Sequence, residues 1–78
     1  MNEKIYEIIE NVAGTDEFRE DVDMDLFEEG ILDSMKAMML IVELEGEFDV
    51  SLPPSEMDRN DWNTAAKIVQ RIEEKVNE

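Results

Sequence analysis

Gly30-Ile31-Leu32-Asp33-Ser34-Met35-Lys36-Ala37-Met38-Met39-Leu40-Ile41-Val42-Glu43-Leu44 decides how the rest of this chain is read. A glycine turn leads into an acidic residue, a lone serine and then a long apolar run. Asp33 is suited to cap a helix N-terminus, and the spacing predicts a helix from about Ser34 to Glu47. The Ser34 hydroxyl then stands where unpaired backbone N–H groups and the positive end of the helix dipole favour an anion. It is well placed to carry a phosphate ester. It is poorly placed to act as a catalytic nucleophile, because the chain contains no histidine to serve as its base.

At 100° per residue this helix carries two apolar stripes. Ala37, Leu40, Ile41, Leu44 and Phe48 follow the i, i+3, i+4, i+7, i+11 pattern of a core face. Met35, Met38, Met39 and Val42 form a second face, centred roughly 140° away. Lys36, Glu43 and Glu47 mark the polar side. A bundle with three main helices has little material to cover both stripes, so the methionine face is expected to remain partly exposed as an adaptable docking surface beside Ser34.

Outward from this helix the chain reads as all-α. Ile5, Ile8, Ile9 and Val12 form an amphipathic first helix that Gly14 ends. Residues 15–33 form a long acidic first loop with apolar anchors at Phe18, Val22, Leu26, Phe27, Ile31 and Leu32, long enough to hold a helical turn. Pro53-Pro54 bars regular structure, and Ser55 is suited to cap one short turn through Met57-Asp58-Arg59. The last helix begins near Thr64, with Ala65, Ile68, Val69, Ile72 and Val76 as its apolar stripe and Glu73, Glu74 and Lys75 facing solvent. The expected architecture is a small antiparallel bundle of three main helices plus one short helix, forming a single domain over residues 1–78.

With 78 residues and no cysteine, core packing alone must hold the fold, which fits a cytoplasmic protein. The opening Met-Asn-Glu-Lys begins no signal peptide, and charged residues interrupt the longest apolar run. Twenty-two acidic against 7 basic residues give a net charge of −15. Such a chain repels nucleic acid and anionic membranes and attracts partners with basic patches. Asp21, Asp23 and Asp25 begin like a calcium loop, but its glycine and final glutamate positions hold Leu26 and Leu32, so no metal site is expected. The many carboxylates lack the pocket that a paired acid and base require, and catalysis is not expected.

The segment Leu26-Phe27-Glu28-Glu29-Gly30-Ile31-Leu32-Asp33-Ser34-Met35 resembles the prosthetic-group site of acyl and peptidyl carrier proteins, and the likeness in length and helix order spans essentially the whole chain. Within that family the chain looks most like the D-alanyl carriers of teichoic acid D-alanylation. Met35 replaces the usual leucine, and Glu56 to Thr64, followed by Lys67-Ile68, matches that subgroup's Asp-Arg, Trp, Thr, Lys-Ile pattern. Met57 departs from the subgroup's frequent phenylalanine, and Lys36 departs from the acidic residue usual in fatty-acid carriers.

The resemblance implies 4′-phosphopantetheine attached covalently to Ser34 by a phosphopantetheinyl transferase. It implies D-alanine received as a thioester from an ATP-dependent D-alanine ligase and passed to membrane-associated D-alanyl transfer machinery. The carrier itself would be no enzyme and would work as a monomer. Asp33, Met35, Met38, Met39, Val42 and Met57 are the residues expected to meet these partners. A carrier for another acyl or aminoacyl group is the near alternative. An acidic protein-interaction module that needs no modification is the alternative of a different class.

Overall fold

The computed structural model describes residues 2–53 and 58–77. Three α-helices carry the fold: α1 (Asn2–Ala13), α2 (Ser34–Phe48) and α3 (Ala65–Val76), with no strand among the described residues. The first forms because its isoleucines and valine recur at helical spacing, and Ile5, Ile8, Ile9 and Val12 are all buried. It stops where Gly14 turns to φ +79°, a left-handed conformation that costs glycine little, while the Gly14 N–H still donates to Glu10 O at 2.8 Å. Lys36 Nζ reaches back from α2 to Ala13 O at 3.4 Å, placing a cation at the negative end of α1.

The core gathers the inward faces of the three helices around Leu40 and Leu44 of α2, with Ile68 and Ile72 of α3 fully buried beside them. Each such side chain contributes about 1.5–3 kcal/mol relative to an exposed one. The other core-face positions of α2 differ from expectation. Ala37, Ile41 and Phe48 are only half-buried, because α1 and α3 cover a narrower strip of α2 than the full stripe. Val76 also departs from its predicted core position: it is 38 % exposed, at the last turn of α3, beyond the buried run that ends at Ile72.

The long first loop is structured throughout. One 3₁₀ turn, Glu17–Glu20, sets Phe18 into the core and edge-on to Tyr6, with ring centroids 5.8 Å apart. Arg19 follows it, bonded to both Glu3 and Glu10 of α1 and lying 5.3 Å from the Tyr6 ring centre. Further along, Leu26, Ile31 and Leu32 are buried, and Val22 and Phe27 pack against the core's edge. The loop is thus tacked down at each of its expected anchors. A second 3₁₀ turn, Arg59–Asp61, stands where the short helix was expected. The expected Ser55 cap lies outside the described residues, and so does the first residue of that turn, Met57.

Candidate functional site

Ser34 owes its position to two local devices. The first is the turn ahead of it. Ile31 N–H donates to Leu26 O at 2.9 Å and Gly30 N–H to Phe27 O at 3.2 Å, with Gly30 at φ +75°. This paired pattern closes a single helical turn with a glycine in the left-handed region, and the buried Leu26 and Ile31 side chains supply the accompanying apolar contact. The second is the cap. Asp33 has extended backbone, and its carboxylate accepts the Lys36 N–H at 2.8 Å, while its carbonyl accepts the Ala37 N–H at 2.8 Å.

Asp33, not Ser34, therefore caps α2. Ser34 is the first helical residue, its side chain is exposed, and the amides of Ser34 and Met35 have no helical carbonyl to accept them. An ester phosphate on this hydroxyl would face those amides and the positive end of α2.

The loop carrying this turn is tied across the molecule to the start of α3. Leu26 N–H donates to Asn63 O at 2.7 Å, Asn63 Nδ2 donates to Asp25 Oδ2 at 2.8 Å, and Ala66 N–H donates to Val22 O at 3.0 Å. Asp25 Oδ1 also accepts the Phe27 and Glu28 N–H groups, both at 3.0 Å. The three aspartates that begin like a calcium loop are thus partly used in turns, Asp21 included, whose Oδ1 accepts the Asp23 N–H at 3.1 Å. Among the described residues no cluster of carboxylates is arranged to hold a metal ion. Thr64, which caps α3 by accepting the Lys67 N–H at 3.1 Å, is buried beside this tie.

Beside Ser34 lies a groove of about 250 Å³, walled by Phe27, Ala37, Met38, Ile41 and Trp62, with Asp58 also on its lining. Its surface is mostly apolar, which suits the apolar part of a ligand held near Ser34. Further along α2, the second stripe is open to solvent: Met35, Met38, Met39 and Val42 are 50–73 % exposed. Met38, Met39 and Val42 share a shallow depression with Glu43. Asp33 and Ser34 thus stand at the N-terminal end of α2 and the exposed stripe runs along the same helix from Met35 to Val42, whereas Met57 lies outside the described residues.

Phe27, Asp58 and Trp62 are neighbours of Ser34 that sequence patterning did not assign to the site. Trp62 reads as a packing residue and is one, at 8 % exposure, yet its ring also lines the groove. No local signal links it to a serine 28 positions earlier; only the tie between the first loop and the start of α3 brings the two together.

A family model described as the phosphopantetheine attachment site matches residues 3–72. The chain is 74 % identical over 78 residues to a D-alanyl carrier protein of Lactococcus lactis subsp. cremoris strain MG1363, covering all of this chain and 99 % of the relative. Identity is 76 %, over the same span and shares, to the D-alanyl carrier protein of Lactococcus lactis subsp. lactis strain IL1403. It is 41 % over 73 residues, 94 % of each chain, to that of Enterococcus faecalis. With the match spanning nearly the whole chain, this protein belongs to the phosphopantetheine-attachment-site family and, within it, to the D-alanyl carrier group.

Proposed function

We propose that Ser34 is the residue that bears 4′-phosphopantetheine, and that the chain carries D-alanine for transfer to lipoteichoic or teichoic acid. The observation that carries this reading is an exposed serine hydroxyl on the first residue of α2, within the span matched by the attachment-site family. When attached, the group supplies a thiol on a flexible arm, which accepts D-alanine as a thioester from an ATP-dependent D-alanine ligase. The protein's own residues do the rest. Asp33 holds the helix start rigid, the Ser34 and Met35 amides face the phosphodiester, and the net charge of −15 steers the carrier toward basic partner surfaces.

The exposed Met35, Met38, Met39 and Val42 serve as the face on which the phosphopantetheinyl transferase, the ligase and the membrane-associated transfer machinery dock in turn. Flexible thioether side chains suit several partners, each bound weakly enough to be released. Asp33 lies beside that face and Met57 completes the partner-binding set. Loading takes place in the cytoplasm, where ATP and coenzyme A are available, and the catalysis belongs to the partners rather than to the carrier. Among the described residues no helix is long and apolar enough to cross a membrane, so delivery at the membrane depends on docking.

The test is an intact-mass measurement after incubation with coenzyme A and a broad-specificity phosphopantetheinyl transferase, beside a Ser34→Ala control. One phosphopantetheine on the native chain and none on the control is the expected result. Addition of D-alanine, ATP and the ligase should then add one alanyl group. A chain left unmodified by a transferase active on a known carrier would point instead to an acidic interaction module.

A further inference from the structure

Sulfur is unevenly placed in this molecule. Met35, Met38 and Met39 stand at positions i, i+3 and i+4 of α2, on one side of the helix, and are 73, 67 and 50 % exposed. Met24, by contrast, is half-buried and packs against the core. The chain has no cysteine to take up an oxidant in their place. From Ser34 to Val42 the one charged residue is Lys36, and its ammonium donates to Ala13 O at 3.4 Å, at the end of α1. These two turns of α2 therefore present the solvent with thioethers and Val42, and with no charge of their own beside them.

We propose that Met35, Met38 and Met39 form a site of reversible oxidation by peroxides, and that their sulfoxides close the docking face to its enzymes. The inference rests on the reading of Ser34 as the attachment point and of this stripe as the docking face. In the forward step the thioether sulfur attacks one peroxide oxygen, the O–O bond breaks, and an S=O bond forms as water leaves. Sulfur loses two electrons and the peroxide gains them. In the reverse step a dithiol-dependent methionine sulfoxide reductase returns the thioether, giving water and a disulfide on the reductant. Because all three side chains lie outside the core, oxidation leaves the fold in place. It turns a flexible apolar surface into one bearing strong acceptor oxygens. A partner that packs apolar atoms on this face then buries those oxygens without donors, and binding weakens.

The experiment uses the chain before any arm is attached, when it holds no thiol. It is treated with hydrogen peroxide, freed of the oxidant, and followed by intact mass, peptide mapping and far-UV circular dichroism. Coenzyme A and the phosphopantetheinyl transferase are then added, and attachment at Ser34 is timed. Sulfoxide should appear at Met35, Met38 and Met39 ahead of Met24, with the helical spectrum unchanged. The oxidised chain should be modified with kcat/KM lower by about tenfold, as one unpartnered buried acceptor gives. Methionine sulfoxide reductases A and B with dithiothreitol, one for each sulfoxide epimer, should restore both mass and rate. A chain carrying Met35→Leu, Met38→Leu and Met39→Leu, compared with its own untreated state, should lose no rate on exposure to peroxide.

An untreated native chain that the transferase leaves unmodified would overturn the carrier reading and this inference together. With attachment established, native rates on a chain bearing all three sulfoxides would overturn the inference alone. So would a loss of rate that the triple leucine chain shares, a loss that persists after the sulfoxides are reduced, a helical spectrum altered by oxidation, or oxidation of Met24 as early as the three.

Discussion

Two residues show how little is needed to set the serine in place. Gly30 has φ +75° with nothing within 4 Å of where a Cβ would stand. Its necessity is therefore a matter of backbone conformation alone. Gly30→Ala should destabilise the fold by about 1–2 kcal/mol, the cost of the left-handed region for an L-residue, read as a lower urea midpoint at unchanged slope. A midpoint equal to the native one would mean that the turn relaxes to another conformation. Arg19 acts at the other end of the loop. Its hydrogen bond to Glu3 holds that carboxyl below its ordinary value near 4.5. A carboxylate whose folded pKa is depressed adds stability above its unfolded pKa and loses it as pH falls through the folded one. Residue-specific titration should find Glu3 with a midpoint below that of a free glutamate, and Arg19→Gln should return it upward.

At the scale of the element, the end of α2 departs from the usual pattern. Asp49 ends the helix at φ 54°, a left-handed position with a negative charge at the negative end of the dipole, and no basic residue in the last turn offsets it. Asp49→Gly should stabilise the protein by about 1 kcal/mol by relieving both. The exposed stripe makes a second prediction. Met35→Asp and Met39→Asp should each slow loading by D-alanine ligase about tenfold in kcat/KM while changing stability by less than about 0.5 kcal/mol. Native loading rates in both variants would remove this face from partner recognition. Phe48 belongs to neither extreme: it is half-buried, so the large loss expected of a fully enclosed ring does not apply to it.

For the whole molecule, charge is the main opposing force. Twenty-two acidic side chains face 7 basic ones, and several of the basic ones sit at joints. Arg19 links the first loop to α1, Lys4 pairs with Glu47 across α1 and α2 at 3.5 Å, and Arg71 joins α3 to Asp61 at 3.2 Å. These pairs are exposed or partly so, and worth little individually. The excess of like charges acts over longer distances and is screened by salt. Raising sodium chloride from about 0.01 M to about 1 M shortens the screening length from about 30 Å to about 3 Å. The melting temperature should rise by about 4–8 °C, as about 1 kcal/mol of relieved repulsion gives in a domain this size. A lower melting temperature in salt would mean that the joint-spanning pairs outweigh the repulsion.

Sequence alone determined the three helices, the cap at Asp33, the turn at Gly30 and the place of Ser34 on the first residue of α2. Each of these depends on neighbours a few positions away, through helical periodicity, capping chemistry and the conformational freedom of glycine. Tertiary structure decided which apolar residues of α2 stay in solvent, because two other helices cover only a strip centred on Leu40 and Leu44. It also decided that Trp62 and Asp58 stand beside Ser34. That placement follows from hydrogen bonds joining Val22, Asp25 and Leu26 to Asn63 and Ala66, long-range contacts that leave no periodic trace in the chain.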